Sequence, residues 1–108
     1  MNKSRIFVPN NPLTMRICPE LAEEIGLNES IVLLQLEFLI SISTTEERDG
    51  TNWTYQSLRD LCEKYFPWWC IDTIRRTIKN LVEKELIIVG NYNKRKGDMT
   101  NWYALNPV

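Results

Sequence analysis

Residues 55–89 read YQSLRDLCEKYFPWWCIDTIRRTIKNLVEKELIIV, and most of the fold prediction follows from this segment. Apolar residues in its first part follow the i, i+3, i+4, i+7 spacing of one buried helix face; they are Leu58, Leu61, Cys62 and Tyr65. The spacing predicts a helix over 55–65 with Thr54 as N-cap. Phe66-Pro67 ends this helix, because proline cannot continue it.

A second amphipathic helix is predicted from Trp69 to about Glu85. Its apolar face consists of Ile71, Ile74, Ile78, Leu81 and Val82. Two such helices joined by a short turn make a helix-turn-helix candidate. Two β-rich runs follow, at 86–89 and 102–105, and the polar stretch between them predicts a hairpin.

Together with a short strand at 52–54, this order of elements predicts an α+β fold. Its type is a winged helix-turn-helix, mainly helical, in which the C-terminal β-hairpin is the wing. A chain of 108 residues is the size of one small domain. We predict an N-terminal arm over 1–14 and the winged-helix domain over 15–108.

Two further helices are predicted upstream. Pro19–Ile25 has proline in its first turn and Gly26 as a stop signal. Asn28 is the expected N-cap of a long helix that ends near Ser43. That helix is apolar around almost its whole circumference, so the N-terminal arm or a second copy of the chain must cover part of it. A homodimer through this helix would place Leu36, Leu39 or Ile40 at or near the interface.

Charge is distributed unevenly, although the formal net charge is only -1. Residues 1–50 carry eight acidic and four basic side chains, whereas residues 51–108 carry six acidic and nine basic ones. Such an asymmetry is expected when one face of a domain meets an anionic partner. The C-terminal half therefore points to nucleic acid as the partner.

Several function classes are excluded by what the sequence lacks. It contains no histidine, and Cys18, Cys62 and Cys70 have no metal-binding spacing, so neither a metal site nor a cofactor is predicted. No nucleophile elbow or glycine-rich phosphate loop occurs, and an enzyme is not expected. The apolar run at 5–9 is too short for a signal peptide and the run at 31–42 too short for a bilayer span. We expect a cytoplasmic protein without membrane contact.

The candidate site consists of two basic elements. Opposite the predicted apolar face of the second amphipathic helix lie side chains that can bond to base edges in a major groove. Lys79 falls at the margin of this outward face, and Arg75 falls nearer the core boundary and must extend outward from it. The candidates on this recognition helix are Trp69, Thr73, Arg75, Arg76, Lys79 and Asn80. The wing tip offers Lys94, Arg95 and Lys96 to phosphates or to the adjacent minor groove. Two basic elements at the two expected places predict binding to double-stranded DNA.

The tryptophans are expected to have mainly structural roles. Trp53 and Trp102 fall in predicted strands and are assigned to core or sheet packing. Trp68 and Trp69 cannot both be buried on one face. One of them should pack under the turn and the other should lie beside the DNA-facing surface; the sequence leaves open which.

Over residues 15–106 the chain resembles the N-terminal winged-helix domains of replication initiator proteins (replisome organisers) from phages and mobile elements of Gram-positive bacteria. The matching positions are Leu21, Ala22, Ile25, Gly26, Leu27, Asn28, Glu29, Leu34, Gln35, Trp53, Tyr55, Ser57, Phe66, Pro67, Trp69, Thr73, Ile74, Arg75, Arg76, Leu81, Asn93, Asp98, Thr100, Trp102 and Tyr103. Three departures stand out. Glu37-Phe38-Leu39 replaces His-Tyr-Trp, Cys70 replaces the serine that caps the recognition helix, and Glu85 replaces a glycine before the wing.

The resemblance implies the DNA-binding domain of a replication initiator, with replisome proteins as possible further partners. One alternative keeps the fold and makes the protein a small transcriptional regulator. A second alternative is a winged helix used for protein interaction and oligomerisation without DNA binding. The acidic N-terminal half and the apolar long helix favour that second alternative.

Overall fold

The computed structural model describes residues 14–42, 47–48, 51–90 and 101–106, which form a mixed α+β fold. Its helices are α1 (Pro19–Ile25), α2 (Leu27–Ile42), α3 (Leu58–Asp60) and α4 (Ile71–Glu83). A π-helical segment (Leu61–Tyr65) continues α3. The turn between that segment and α4 spans residues 66–70, so α3 and α4 are joined by a short connection, as predicted.

Five strands occur in the described part of the chain. They are β1 (Glu47–Arg48), β2 (Thr51–Asn52), β3 (Thr54–Gln56), β4 (Ile87–Gly90) and β5 (Asn101–Leu105). β1 and β2 form an antiparallel pair, and the other three form an antiparallel sheet in the order β3-β5-β4. Ile87 lies opposite Leu105 and Gly90 opposite Trp102, so the two predicted hairpin strands are neighbours in the sheet.

The main core lies between one face of this sheet and the helices. Its buried members are Ile31, Val32, Leu36, Leu39, Leu61, Phe66, Ile74, Ile78, Leu81, Ile87 and Tyr103. Side chains alternate along a strand, so Trp102 and Ala104 on β5 point away from Tyr103. They form a second buried cluster with Trp53. The predicted packing roles of Trp53 and Trp102 are therefore confirmed.

The helix starts differ in part from the sequence pattern. Pro19–Ile25 is confirmed, with Gly26 as its C-cap. The next helix already begins at Leu27, and the carbonyl of Gly26 accepts from the amide of Ser30 at 2.9 Å. Asn28 is thus inside α2, and its prediction as N-cap was wrong. Gly26 ends one helix and starts the next.

The helix predicted over 55–65 begins three residues later than expected. Thr54–Gln56 pairs with β5 instead, because this segment provides the edge strand of the sheet. Ser57 is the actual N-cap, and its hydroxyl accepts from the amide of Asp60 at 3.0 Å. Thr54 was therefore a wrong choice of cap. At the other end, the amide of Phe66 donates to the carbonyl of Leu61 at 3.0 Å, which closes the π-helical turn.

α4 ends in a Schellman motif. The amide of Leu86 donates to Leu81 at 3.0 Å and the amide of Glu85 donates to Val82 at 2.9 Å. Glu85 has a φ of 62°, which is the left-handed conformation that glycine adopts most easily. Glycine would fit this position better than glutamate, because it has no Cβ.

Replacing Glu85 with glycine is expected to stabilise the domain by about 1 kcal/mol, since a side chain in the left-handed region costs about 1–2 kcal/mol. The melting temperature should rise by about 4–8 °C. Lys84→Gly is the matched control, because Lys84 has a φ of -82° and gains nothing from glycine. If both variants lowered the melting temperature alike, the strain at Glu85 would be absent.

The apolar side chains that α2 exposes are not the ones that the sequence predicted. Leu36 and Leu39 are buried in the core of the same chain, so they cannot form a dimer interface, whereas Ile40 is half-buried. Phe38 and Ile42 are the large apolar side chains that α2 exposes near its C-terminal end, at 47% and 59%. Within the described ranges no single helix is long and apolar enough to cross a bilayer; α1 and α2 meet that criterion only together, with a bend of 119° between them.

Candidate nucleic-acid interface

The orientation of α4 follows from its buried side chains. These are Ile74, Thr77, Ile78 and Leu81. Thr77 tolerates burial because its hydroxyl donates to the carbonyl of Thr73 at 2.7 Å. With Thr77 included and Ile71 only half-buried, the buried stripe is turned by about 40° from the predicted one. The outward face is therefore centred on Arg76 and Lys79.

Three predicted basic residues of α4 are exposed: Arg75, Arg76 and Lys79. The guanidinium of Arg75 forms an ion pair with Asp72, one turn earlier, in which both side chains are more than half exposed. Asp72 and Glu83 share the outward face with these cations. An ion pair this exposed adds little to folding stability. Arg75 can therefore leave Asp72 at little cost, and the cations of α4 remain available to a ligand.

At the N-terminal end of α4, Thr73 and Cys70 lie side by side. The Thr73 hydroxyl is 3.3 Å from the Cys70 thiol, and Thr73 is half-buried while Cys70 is exposed. This contact with the Thr73 hydroxyl is the main cause that lowers the pKa of the Cys70 thiol. Cys70 occupies the N-cap without a side-chain capping bond, as the substitution of cysteine for serine implied. On α4, Thr73 lies at the border of the outward face.

Asn80 does not belong to the outward face. It is half-buried, and its amide donates to the carboxylate of Glu29 on α2 at 2.9 Å. The observed position of Asn80 differs from the predicted one on the outward face, because the stripe that includes Thr77 turns Asn80 towards α2. Its observed contact links the start of α2 to the C-terminal part of α4.

Trp69 is likewise turned away from the outward face. Its predicted position assumed that the helix starts at Trp69, but α4 begins only at Ile71. Its half-buried ring packs against the main core, with its centroid 5.4 Å from that of Phe66. The Cys62 thiol donates to its carbonyl at 3.3 Å. Trp69 is thus the tryptophan that packs under the turn, and it does not lie on the outward face where helical spacing predicted it.

Trp68 is the tryptophan left at the surface, with 55% of its area exposed. The sequence pattern paired it with Trp69 and could not choose between them. Both rings contact Phe66, with centroids 5.4 Å away for Trp69 and 5.9 Å away for Trp68, so contact with this residue does not distinguish them.

The predicted wing tip of Lys94, Arg95 and Lys96 lies outside the described residues. Within the described residues, no group of three or more cysteine, aspartate or glutamate side chains could hold a metal ion. No known family model, curated protein or solved structure matches the chain at a significant level. The geometry of α3, the turn and α4 is therefore the feature of the molecule that bears on function.

Proposed function

We propose that this chain is a winged-helix domain that binds double-stranded DNA sequence-specifically, as the DNA-binding module of a phage or mobile-element replication initiator. Support comes from the arrangement of α3, a short turn and α4, followed by two antiparallel strands. In a helix-turn-helix, the second helix enters the major groove. Here that helix is α4.

The observation that carries the proposal is the row of exposed cations on α4. Arg76 and Lys79 are one helical turn apart on the face opposite the buried stripe. A guanidinium can bond bidentately to guanine, and an ammonium can bond to a phosphate or to guanine. Core packing does not require cations on this face.

The acidic side chains on the same face bear on specificity. Asp72 and Glu83 repel phosphates, which weakens indiscriminate binding to any duplex. A carboxylate can also accept from the amino group of cytosine. The mixed charge of α4 thus favours a helix that recognises base sequence over one that binds any duplex through charge alone.

The test is a titration with duplex DNA at two salt concentrations, with the chain's own genomic neighbourhood as probe. A DNA-binding domain shows affinity that falls as salt rises, because bound cations displace condensed counterions. Preference for a site at a replication origin supports the initiator; preference for an operator beside its own gene supports a transcriptional regulator. No binding at low salt contradicts the proposal.

The wing provides a separate prediction. Replacing Lys94, Arg95 and Lys96 with alanine should flatten the slope of log affinity against log salt by about 2, if two of the three bind phosphate. Affinity should fall on all sequences alike, and the melting temperature should hardly change. An unchanged slope would show that the tip makes no phosphate contact.

A second candidate function is protein interaction or oligomerisation without DNA binding. The observation that favours it is the exposed pair Phe38 and Ile42, one turn apart on α2. A homodimer through α2 would then use these residues in place of Leu36 and Leu39. Sedimentation of the native chain and of Phe38→Ser at tens of micromolar distinguishes the cases: a dimer lost in the variant supports this surface.

A further inference from the structure

Trp68 is exposed but held in place. One side of its ring meets Phe66 edge-on, with centroids 5.9 Å apart at 88°, and Phe66 is fully buried in the core. Trp69 packs against it as well, at 5.1 Å. The indole is therefore anchored through two aromatic neighbours, although 55% of its surface remains open to solvent.

An indole that is half-exposed keeps a large apolar area in water, and burying it would stabilise the fold. A fixed aromatic ring is, however, a good contact residue, because little conformational entropy is lost when a ligand covers it. The anchoring by Phe66 and Trp69 gives Trp68 this property.

The position of Trp68 selects the ligand. It lies in the turn between α3 and α4, three residues before α4 begins, and Cys70 between them is exposed too. A duplex that meets the cations of α4 passes this turn, since a recognition helix contacts DNA mainly with its N-terminal part. At the rim of a groove the duplex presents its sugar–phosphate backbone.

We propose that Trp68 binds the DNA backbone beside the groove occupied by α4, with its indole Nε1–H donating to a phosphate oxygen and its ring packing on the deoxyribose. The inference rests on the proposed function and adds a contact residue to it. The indole nitrogen is a donor only, which suits a phosphate. The side chain has no charge, so this contact adds affinity without releasing counterions.

This chemistry predicts a signature that differs from that of a cation. Trp68→Phe keeps a ring but loses the donor, and binding should weaken about fivefold on all sequences. Trp68→Ala also loses the ring and should weaken binding about 30-fold. In both variants the salt slope should equal that of the native chain. Trp68→Phe retains the edge contact with Phe66, and a melting curve verifies its fold.

Tryptophan fluorescence gives a direct readout of the same contact. Trp53 and Trp102 are each only 5% exposed and Trp69 is half-buried, so a collisional quencher reaches Trp68 most readily. Duplex DNA should protect the native chain from acrylamide quenching, and Trp68→Phe should show no such protection. Trp69→Phe is the matched control and should remain protected.

The outcomes separate the two proposals. If the native chain binds DNA but Trp68 stays open to quencher and Trp68→Phe binds with native affinity, the inference is wrong while the proposed function stands. If the native chain binds no duplex, the proposed function fails first. If Trp68→Ala binds DNA normally but loses self-association in sedimentation, the ring is a protein contact and the inference is overturned.

Discussion

Joint replacement of Arg75, Arg76 and Lys79 by alanine is expected to reduce affinity for the preferred DNA site about 1,000-fold, or about 4 kcal/mol, as three base or phosphate contacts of about 1–3 kcal/mol are lost. Folding should be almost unaffected. All three side chains are exposed, alanine is the strongest helix former, and the Arg75–Asp72 pair is open to solvent. Titrations and melting curves on the same preparation measure both effects.

Single substitutions on α4 distinguish side chains that contact bases from side chains that contact phosphates. Arg76→Ala should weaken the preferred site by about 1–3 kcal/mol and random DNA much less, because a guanidinium on guanine reads sequence. Thr73→Ala should act in the same direction through its methyl group, although its hydroxyl is engaged with Cys70. Lys79→Ala should weaken all sequences alike and lower the salt slope by about 1.

Arg16→Ala is the matched control for charge. Arg16 is also exposed, but it donates to the Leu34 carbonyl and the Glu37 carboxylate of α2, at 3.0 and 3.2 Å. Its loss changes the net charge as Arg76→Ala does, so it should leave DNA affinity within a factor of two or so of the native value. Equal losses in the two variants would mean that only overall charge matters and that α4 is not a recognition helix.

Periodicity predicted most of the framework, because the apolar positions of α1 and of α4 each lie on one face, and α1 has proline in its first turn and glycine at its end. It failed where tertiary structure changed a local preference. Tyr55 has the spacing of a helix but joins β5 as a strand, since edge pairing satisfies its backbone. Thr77 is polar but only 3% exposed. Its burial is tolerated because its hydroxyl donates to a carbonyl within the helix. Because Thr77 belongs to the buried stripe, the outward face of α4 is rotated from the predicted one.

Two positions at the site differ from the predicted ones, for different reasons. Asn80 bonds to Glu29, which is 51 residues away in sequence, and no local pattern indicates that pairing. Trp69 was placed by helical spacing in a segment that is not helical. The special positions suggested by the resemblance proved informative about the backbone: Cys70 is an N-cap without a capping bond, and Glu85 has positive φ.

Gly26→Ala is expected to be the most destabilising single change at the junction of α1 and α2, at about 3 kcal/mol. Gly26 has a φ of 107° and a ψ of 149°, a region essentially restricted to glycine, where another residue costs about 1–3 kcal/mol. Its amide donates to Ala22 at 2.8 Å and its carbonyl accepts from Ser30 at 2.9 Å. Both bonds fix this conformation, so the junction cannot relax without loosening one helix end.

The added methyl group also collides with a neighbour. A Cβ at Gly26 would overlap the carboxylate of Glu29, which accepts from Asn80. Glu29 can move aside, but then the bond that joins α2 to α4 is lost, at about 1 kcal/mol. Backbone strain and lost contact together give the expected total.

A double-mutant cycle separates these two causes. In a Glu29→Ala background the overlap and the bond to Asn80 are already absent, so Gly26→Ala should cost only the backbone strain of about 2 kcal/mol. Denaturant unfolding of the four variants measures the difference. A cost that is equal in both backgrounds would show that Glu29 swings away freely, and a cost near zero would contradict the positive φ at Gly26. Because Asn80 holds α4 through Glu29, Gly26→Ala should also weaken DNA binding more than Glu85→Gly does, even where both variants are fully folded.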